Sequence, residues 1–567
     1  MKNIYIGLIL SLFSTTNYAQ VADLEWANAL SGTDHSFGYS IITDEAGNVY
    51  TTGTFLGATD FDPSSDDYFL TSNGNYDVFV QKMDAAGNLI WAKSFGGANA
   101  DFGFSIDVDS FGNVYVAGEY QADADFDPNS GVFNMSSNGI SDAFIQKLDA
   151  EGNLVWAKSI GGPSNERATS IHVDRYNDIY ITGSFKSTVV DFDPSSNTSF
   201  DLITNGDRDI FIEKLDAEGN FLWAKSYGGP GYDRGNAITT DSYGNIFVTG
   251  YFSQTVNFDS GSAAFTVDSK GLEDVCVLKL NSKGEFEWVK AMGGSGYDNG
   301  NSIATDAYGN VIIVGSFRNS VDFDPGTQGL ILNSNGNTDG FVQKLNTYGN
   351  LIWAKTIGGT GADVCYSVAI DLDANIIVSG SYEGSMEIFE TGANPEITSN
   401  GEKDIFIEKL DDKGDAIWAA SMGKTMDDES FAVTTDVLGN PHTTGYFNAK
   451  VDFDPNSDIM ELTSLGLSDV FIQKLSEEAA SSAGISENDV LKNVTVYPNP
   501  SKGIVNIDLR ELVDSNIKVF SMDGQLVYNK ENVTSPMHQF NLNGAQGTYI
   551  IEVSSNGENK HFKLIKK

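Results

Sequence analysis

Residues 469–484 read DVFIQKLSEEAASSAG, and the phrase that opens them recurs upstream with a different ending. At 142–162 it runs DAFIQKLDAEGNLVWAKSIGG, and at 404–423 it runs DIFIEKLDDKGDAIWAASMG. The copy at Asp469 lacks the half that carries a tryptophan. An orphan of that half, LEWANAL, stands at residues 24–30, around Trp26. Repeat register is therefore the first thing to read in this chain.

Three columns share one register. Trp26, Trp91, Trp156, Trp223, Trp288, Trp353 and Trp418 are spaced 65, 65, 67, 65, 65 and 65, which uses every tryptophan present. Asp44, Asp109, Asp174, Asp241, Asp306, Asp371 and Asp436 keep the same spacing. So do Asp77, Asp142, Asp209, Asp274, Asp339, Asp404 and Asp469. In the second unit, FSIDVD, NVYVAGEY, DAFIQKLD and NLVWAKS alternate with period two, as half-buried strands do. Two DxxGN turns join them, where Asp bonds back to the backbone and Gly or Asn accepts positive φ. Four antiparallel strands in a unit of about 65 residues predict a propeller blade. The expected fold is all-β: a seven-bladed β-propeller over residues 20–476, with the N-terminal strand completing the seventh blade beside Phe471–Leu475. Such closure would remove open sheet edges.

The net charge of −44 belongs to the repeats, since lysine and arginine balance aspartate and glutamate from Glu487 onward. Such a surface repels phosphate backbones, which argues against nucleic acid as a partner. Residues 1–19, with Lys2 ahead of an apolar run from Ile4 to Phe13 and Ala19 as a small residue for cleavage, read as a signal peptide. No cysteine lies near that cut, so a lipid anchor is not expected, and no later run is long enough to span a bilayer. Cys276 and Cys365 fall at different phases of the repeat and read as small buried hydrophobes.

Two acidic features fall on the face opposite the DxxGN turns. One is DFDP, with Asp60 and Asp62, Asp125 and Asp127, Asp191 and Asp193, Asp322 and Asp324, and Asp452 and Asp454. Asn257-Phe258-Asp259 is a weakened copy, and the region around Met386 is a degenerate one. Carboxylates two residues apart share a side of an extended segment, a geometry that suits a hard cation such as calcium. The favoured reading of the same residues is turn capping, with Phe packing between blades and Pro ending a strand. The other feature lies eight positions before the second column: Asp101, Glu166, Asp233, Asp298, Asp363 and Asp428, with Ser36 as the exception. The repeated Trp and Phe read as core, and the QKL lysines (Lys82, Lys147 and their equivalents) as ion-pairing. The five histidines share no repeat phase or metal-ligand spacing, and no HExxH, GxSxG or phosphate loop occurs. No catalytic residue is assigned.

Residues 477–491, small, polar and acidic, read as a linker. Residues 492–567 carry short alternating strands separated by NPSKG, MDGQ, GAQG and SNGE, a small β-sandwich. Here Tyr497-Pro498-Asn499-Pro500, Asp523-Gly524-Gln525, Gly547-Thr548-Tyr549 and the terminal Lys563-Leu564-Ile565-Lys566-Lys567 resemble the type A sorting domain of the type IX (Por) secretion system. The repeats resemble the bacterial SBBP β-propeller repeat. The resemblance implies export to the cell surface or medium by that machinery, with removal of the tail, and it implies no uniform activity for the propeller. The expected role is a binding or adhesion scaffold for a glycan or protein. An extracellular enzyme acting on polysaccharide through the acidic face is the alternative.

Overall fold

A computed structural model describes residues 22–195, 198–259, 264–324, 326, 329–387, 396–456 and 458–476, then 494–497, 501, 503–509, 515–521, 526–542, 547–555 and 558–566. The predicted signal peptide and linker lie outside the described residues, as do Pro498, Asn499 and Pro500. The chain divides into two compact units, residues 1–480 and 481–567. Among the described residues every regular element is a strand, and no helix is long and apolar enough to cross a membrane.

In the first unit the β-propeller repeats fold as antiparallel sheets. The second repeat pairs Phe102–Val108, Val114–Tyr120, Asp142–Leu148 and Leu154–Ile160 in that order. Second strands such as Val114–Tyr120 are buried throughout, as their β-branched and aromatic residues require. First strands alternate, with Ile106 and its equivalents buried. Each second strand carries a glycine where the first strand bulges. A Cβ on Gly53 would lie 1.9 Å from the carbonyl oxygen of Phe37, so any side chain there displaces backbone.

The strand Asp469–Ser476 pairs on one side with Pro441–Phe447 and on the other with the N-terminal strand Asp23–Gly32. Leu24 faces Leu475, Trp26 faces Lys474 and Ala29 faces Phe471. Neighbouring repeats are joined along their first strands. Ser40 Oγ accepts from Ile106 N–H (3.3 Å), Ser105 Oγ from Ile171 (3.1 Å) and Ser367 Oγ from Val433 (3.1 Å). Thr43 Oγ1 donates to the Thr435 carbonyl (2.9 Å), which ties the last first strand to the earliest. The tryptophans act the same way at the periphery. Trp91 Nε1 donates to Ala150 O of the following repeat (3.1 Å), and Trp26 Nε1 donates to Ala85 O (3.2 Å).

The connection between second and third strands is a small hairpin rather than a loop. Ala58–Asp60 pairs with Phe69–Thr71, and its counterparts recur in the other repeats. In the sixth repeat it merges into the long strands Ile376–Glu387 and Glu396–Leu410.

The second unit holds two antiparallel sheets around one core. Thr495–Tyr497, Ile504–Asp508 and Met537–Asn541 form one, and Leu526–Val533, Ser515–Ser521, Gly547–Ser555 and Glu558–Lys566 form the other. Val505, Ile507, Val519, Ile551 and Leu564 are fully buried between them.

Candidate functional site

The repeated carboxylates are held by backbone. Asp44 Oδ1 accepts N–H bonds from Ala46 and Asn48 (both 2.9 Å), while its Oδ2 takes the Tyr50 hydroxyl (3.1 Å). Asp77 Oδ2 accepts from Asn73 N (3.0 Å). Asp101 is clamped by Gly97 N (2.7 Å) and Gln121 N (3.0 Å). Burial pushes the Asp77 and Asp101 carboxyls up to about 7, against backbone bonds that pull them down. The QKL lysines pair as expected: Lys344 with Asp306 (3.1 Å) and Lys409 with Asp371 (2.9 Å), while Lys82 lies 4.9 Å from the centre of the Tyr50 ring. Cys276 and Cys365 are free and buried.

The DFDP residues sit at the ends of the small hairpins. Asp60 Oδ1 takes the N–H groups of Asp62 (3.0 Å) and Tyr68 (2.9 Å), and Asp62 Oδ1 takes that of Ser64 (2.9 Å). Asp125 and Asp127, Asp191 and Asp193, Asp322 and Asp324, and Asp452 and Asp454 repeat this pattern. The phenylalanine between each pair is buried, and Phe61 packs 5.2 Å from Phe79, ring centre to ring centre. Among the described residues no group of three or more His, Cys, Asp or Glu side chains is arranged to hold a metal.

Departure from the repeat concentrates at the start of the first strands. One position there is occupied in turn by Phe37, Phe102, Arg167, Arg234, Asn299, Val364 and Glu429, and the position two residues on by Tyr39, Phe104, Thr169, Asn236, Asn301, Tyr366 and Phe431. The early and late repeats supply an aromatic arc. Tyr39 lies 5.7 Å from both Phe104 and Phe431, and Phe431 lies 5.3 Å from Tyr366. Within it, buried Glu429 accepts the hydroxyls of Tyr366 (2.7 Å) and Tyr446 (2.9 Å) and pairs with Lys403 (3.0 Å). Burial, then the Glu429 charge, drives both phenols upward.

The third and fourth repeats supply cations. Arg167 Nε donates to Glu119 Oε2 (3.0 Å), and its guanidinium lies 4.7 Å above the Phe104 ring. Arg234 bonds to Tyr251. Burial, and then the positive charge of Arg167, pull its pKa below the ordinary guanidinium value, with Arg208 adding to the same field. The Nε atoms of Arg208 and Arg234 are buried and have no hydrogen-bond partner among the described residues. Exposed Tyr232 bridges to Arg208, while exposed Tyr297 bridges to Glu273 with the Arg318 guanidinium 5.8 Å from its ring centre. Sequence reading passed over all of these, because it followed the columns that stay constant. The signal lay in the columns that do not.

A cleft of about 460 Å³ lies elsewhere, at the DxxGN turns between Asp44, Tyr50, Lys82, Asp109 and Phe111. Its carboxylates are already bonded to those turns.

The sorting residues that fall among the described ones contribute to the second unit's closing strands. Tyr549 is buried and faces Leu564, Gly547 faces Lys566, and Ile550 faces Lys563.

Comparison with known proteins agrees at both levels. Residues 90–119 and 222–251 match the β-propeller repeat SBBP, and residues 495–567 match the secretion system C-terminal sorting domain. An uncharacterized WD repeat-containing protein of Acanthamoeba polyphaga mimivirus is 28% identical over 447 residues, 66% of this chain and 32% of that protein. The regulatory protein FlaEY of Caulobacter vibrioides is 27% identical over 274 residues, 47% of this chain and 26% of that protein. The chain thus spans about a third or less of the curated relatives it matches. A structural genomics protein of unknown function from Bacteroides thetaiotaomicron aligns with 78% of this chain and all of its own length, at 9% identity and a TM-score of 0.26. The chain carries β-propeller repeats of the SBBP type and, at its C-terminus, a type IX secretion sorting domain, which indicates export to the cell surface or the extracellular space.

Proposed function

We propose that this exported protein is a binding scaffold: a closed seven-bladed propeller spanning residues 20–476 that takes a glycan or protein ligand at the start of its first strands. Closure is supported by the pairing of Asp23–Gly32 with Asp469–Ser476 and by the bond from Thr43 to Thr435. The observation that carries the binding reading is the loss of repeat equivalence at that end. Seven first strands share a buried isoleucine or valine at one position, from Ile41 to Val433. They diverge into arginines, aromatics and a glutamate a few residues earlier. Packing alone asks for sameness around a ring, and a ligand asks for difference. The DFDP carboxylates are assigned to turn capping, and the linker at 477–491 to separating the propeller from the sorting domain at 492–567.

The test is an array of glycans and peptides probed with the full-length protein and with Tyr39→Ala and Phe431→Ala variants. Retention of one ligand class by the wild type, and its loss in both variants, is the expected result. A ligand kept by both variants places binding elsewhere and overturns the assignment.

A further inference from the structure

We propose that Arg167, Arg208 and Arg234 form a subsite for the carboxylate of an acidic sugar, a uronate within a bound glycan; this rests on reading that end of the first strands as the ligand site. The chain carries only six arginines, against a net charge of −44, and three lie at this end: Arg167 and Arg234 hold equivalent positions on the first strands of successive repeats, and Arg208 bridges to Tyr232, two residues before Arg234. Among the described residues one ion pair offsets their mutual repulsion. Arg167 is paired with Glu119, whereas Arg208 and Arg234 have no ion pair among the described residues. Asp207, next to Arg208 in the chain, is paired with Lys186 at 2.7 Å.

A buried guanidinium Nε–H without an acceptor carries a desolvation cost, which a bound carboxylate would relieve. A fold that keeps two such groups leaves donors ready for an incoming anion. The guanidinium fork matches a carboxylate in two parallel bonds, which a lysine ammonium cannot do. The surroundings narrow the ligand further. Tyr232, bridged to Arg208 and 50% exposed, offers an aromatic face that stacks on the apolar face of a pyranose ring. Glu119, Glu273 and Glu429 stand around the same end, so a densely charged polyanion is repelled while a lone carboxylate on a neutral ring is admitted.

The experiment is calorimetric titration of the full-length protein with xylotriose bearing a single glucuronate, and with the same tetrasaccharide after reduction of its one carboxyl to an alcohol. The acidic form should bind and the reduced form should not. Arg234→Gln and Arg208→Gln should each weaken the acidic ligand by about 30-fold or more, with the melting temperature followed in parallel. Because like charges are relieved, Arg208→Gln should melt no lower than wild type without ligand. That readout serves even if Arg234→Gln fails to fold. Equal affinity for acidic and reduced sugars, or unchanged affinity in Arg208→Gln, overturns the uronate subsite. If another ligand class binds and is lost in Tyr39→Ala but not in Arg208→Gln, the binding scaffold stands and the carboxylate assignment falls. If no array ligand and no tetrasaccharide binds, both fall.

Discussion

A single glycine between two acids sets the pH behaviour of the repeats. A Cβ on Gly96 would lie 2.7 Å from the Asp77 carboxyl carbon and 2.8 Å from Asp101 Oδ2, so two buried carboxyls meet across that backbone. The arrangement recurs, and burial raises Asp233, Asp363 and Asp428 to about 7 and Asp209, Asp298 and Asp404 to about 6. These folded values exceed the ordinary 3.8, so the folded state holds protons that the unfolded chain releases. Their stabilisation is complete below pH 4 and is lost as pH rises through 7. Asp84, Asp216 and Asp306, whose values are lowered, act with the opposite sign below pH 4, and within the window buried His442, lowered to about 4, opposes as one imidazole against eight carboxyls. The thermal midpoint should therefore be higher at pH 5 than at pH 8. Asp77→Asn, which removes one of the two acids, should raise the midpoint at pH 8 more than at pH 5. A midpoint that climbs from pH 5 to pH 8 would contradict this account. At the same scale, Asp60→Ala should cost about 1 kcal/mol, because the N–H groups of Asp62 and Tyr68 lose their acceptor. Calcium titrated into chelator-treated protein should give neither heat nor thermal shift if DFDP is a cap. A saturable shift, lost in Asp60→Ala, would restore the cation reading.

At the scale of strands, the sequence was most readable where burial imposes period two, in DAFIQKL and VYVAGEY. It also paired LEWANAL with DVFIQKL from nothing more than the phrase each lacked. The small hairpins bearing DFDP were not legible. Three-residue strands such as Ala58–Asp60 carry too few positions for alternation to show. The arginine cluster was invisible for another reason: its members are far apart in sequence and join only through sheet order. Deleting Leu24–Leu30 removes buried Ala27 and Leu30 and the Trp26 bond, and it bares an edge of Asp469–Ser476. The loss should be about 5 kcal/mol or more, with self-association through the free edge. Unfolding by urea and light scattering read the two effects, and unchanged values for both would contradict the seam.

For the molecule as a whole, the sorting domain decides where the propeller works. The strand Glu558–Lys566 closes the four-stranded sheet beside Gly547–Ser555, with Leu564 fully buried in the core. Truncating Lys563–Lys567 should therefore unzip that sheet and leave the protein in the periplasm, as fractionation with an antibody to the propeller would show. Normal surface delivery of the truncated chain would contradict this.

Asp23 and Ser476 stand opposite each other as a backbone pair, although 453 positions separate them along the polypeptide. The repeat region is thus a loop of chain whose two tips already touch. A gene rearranged to splice those tips through a few flexible residues, and reopened at any of the DxxGN corners, should encode the same object with new termini.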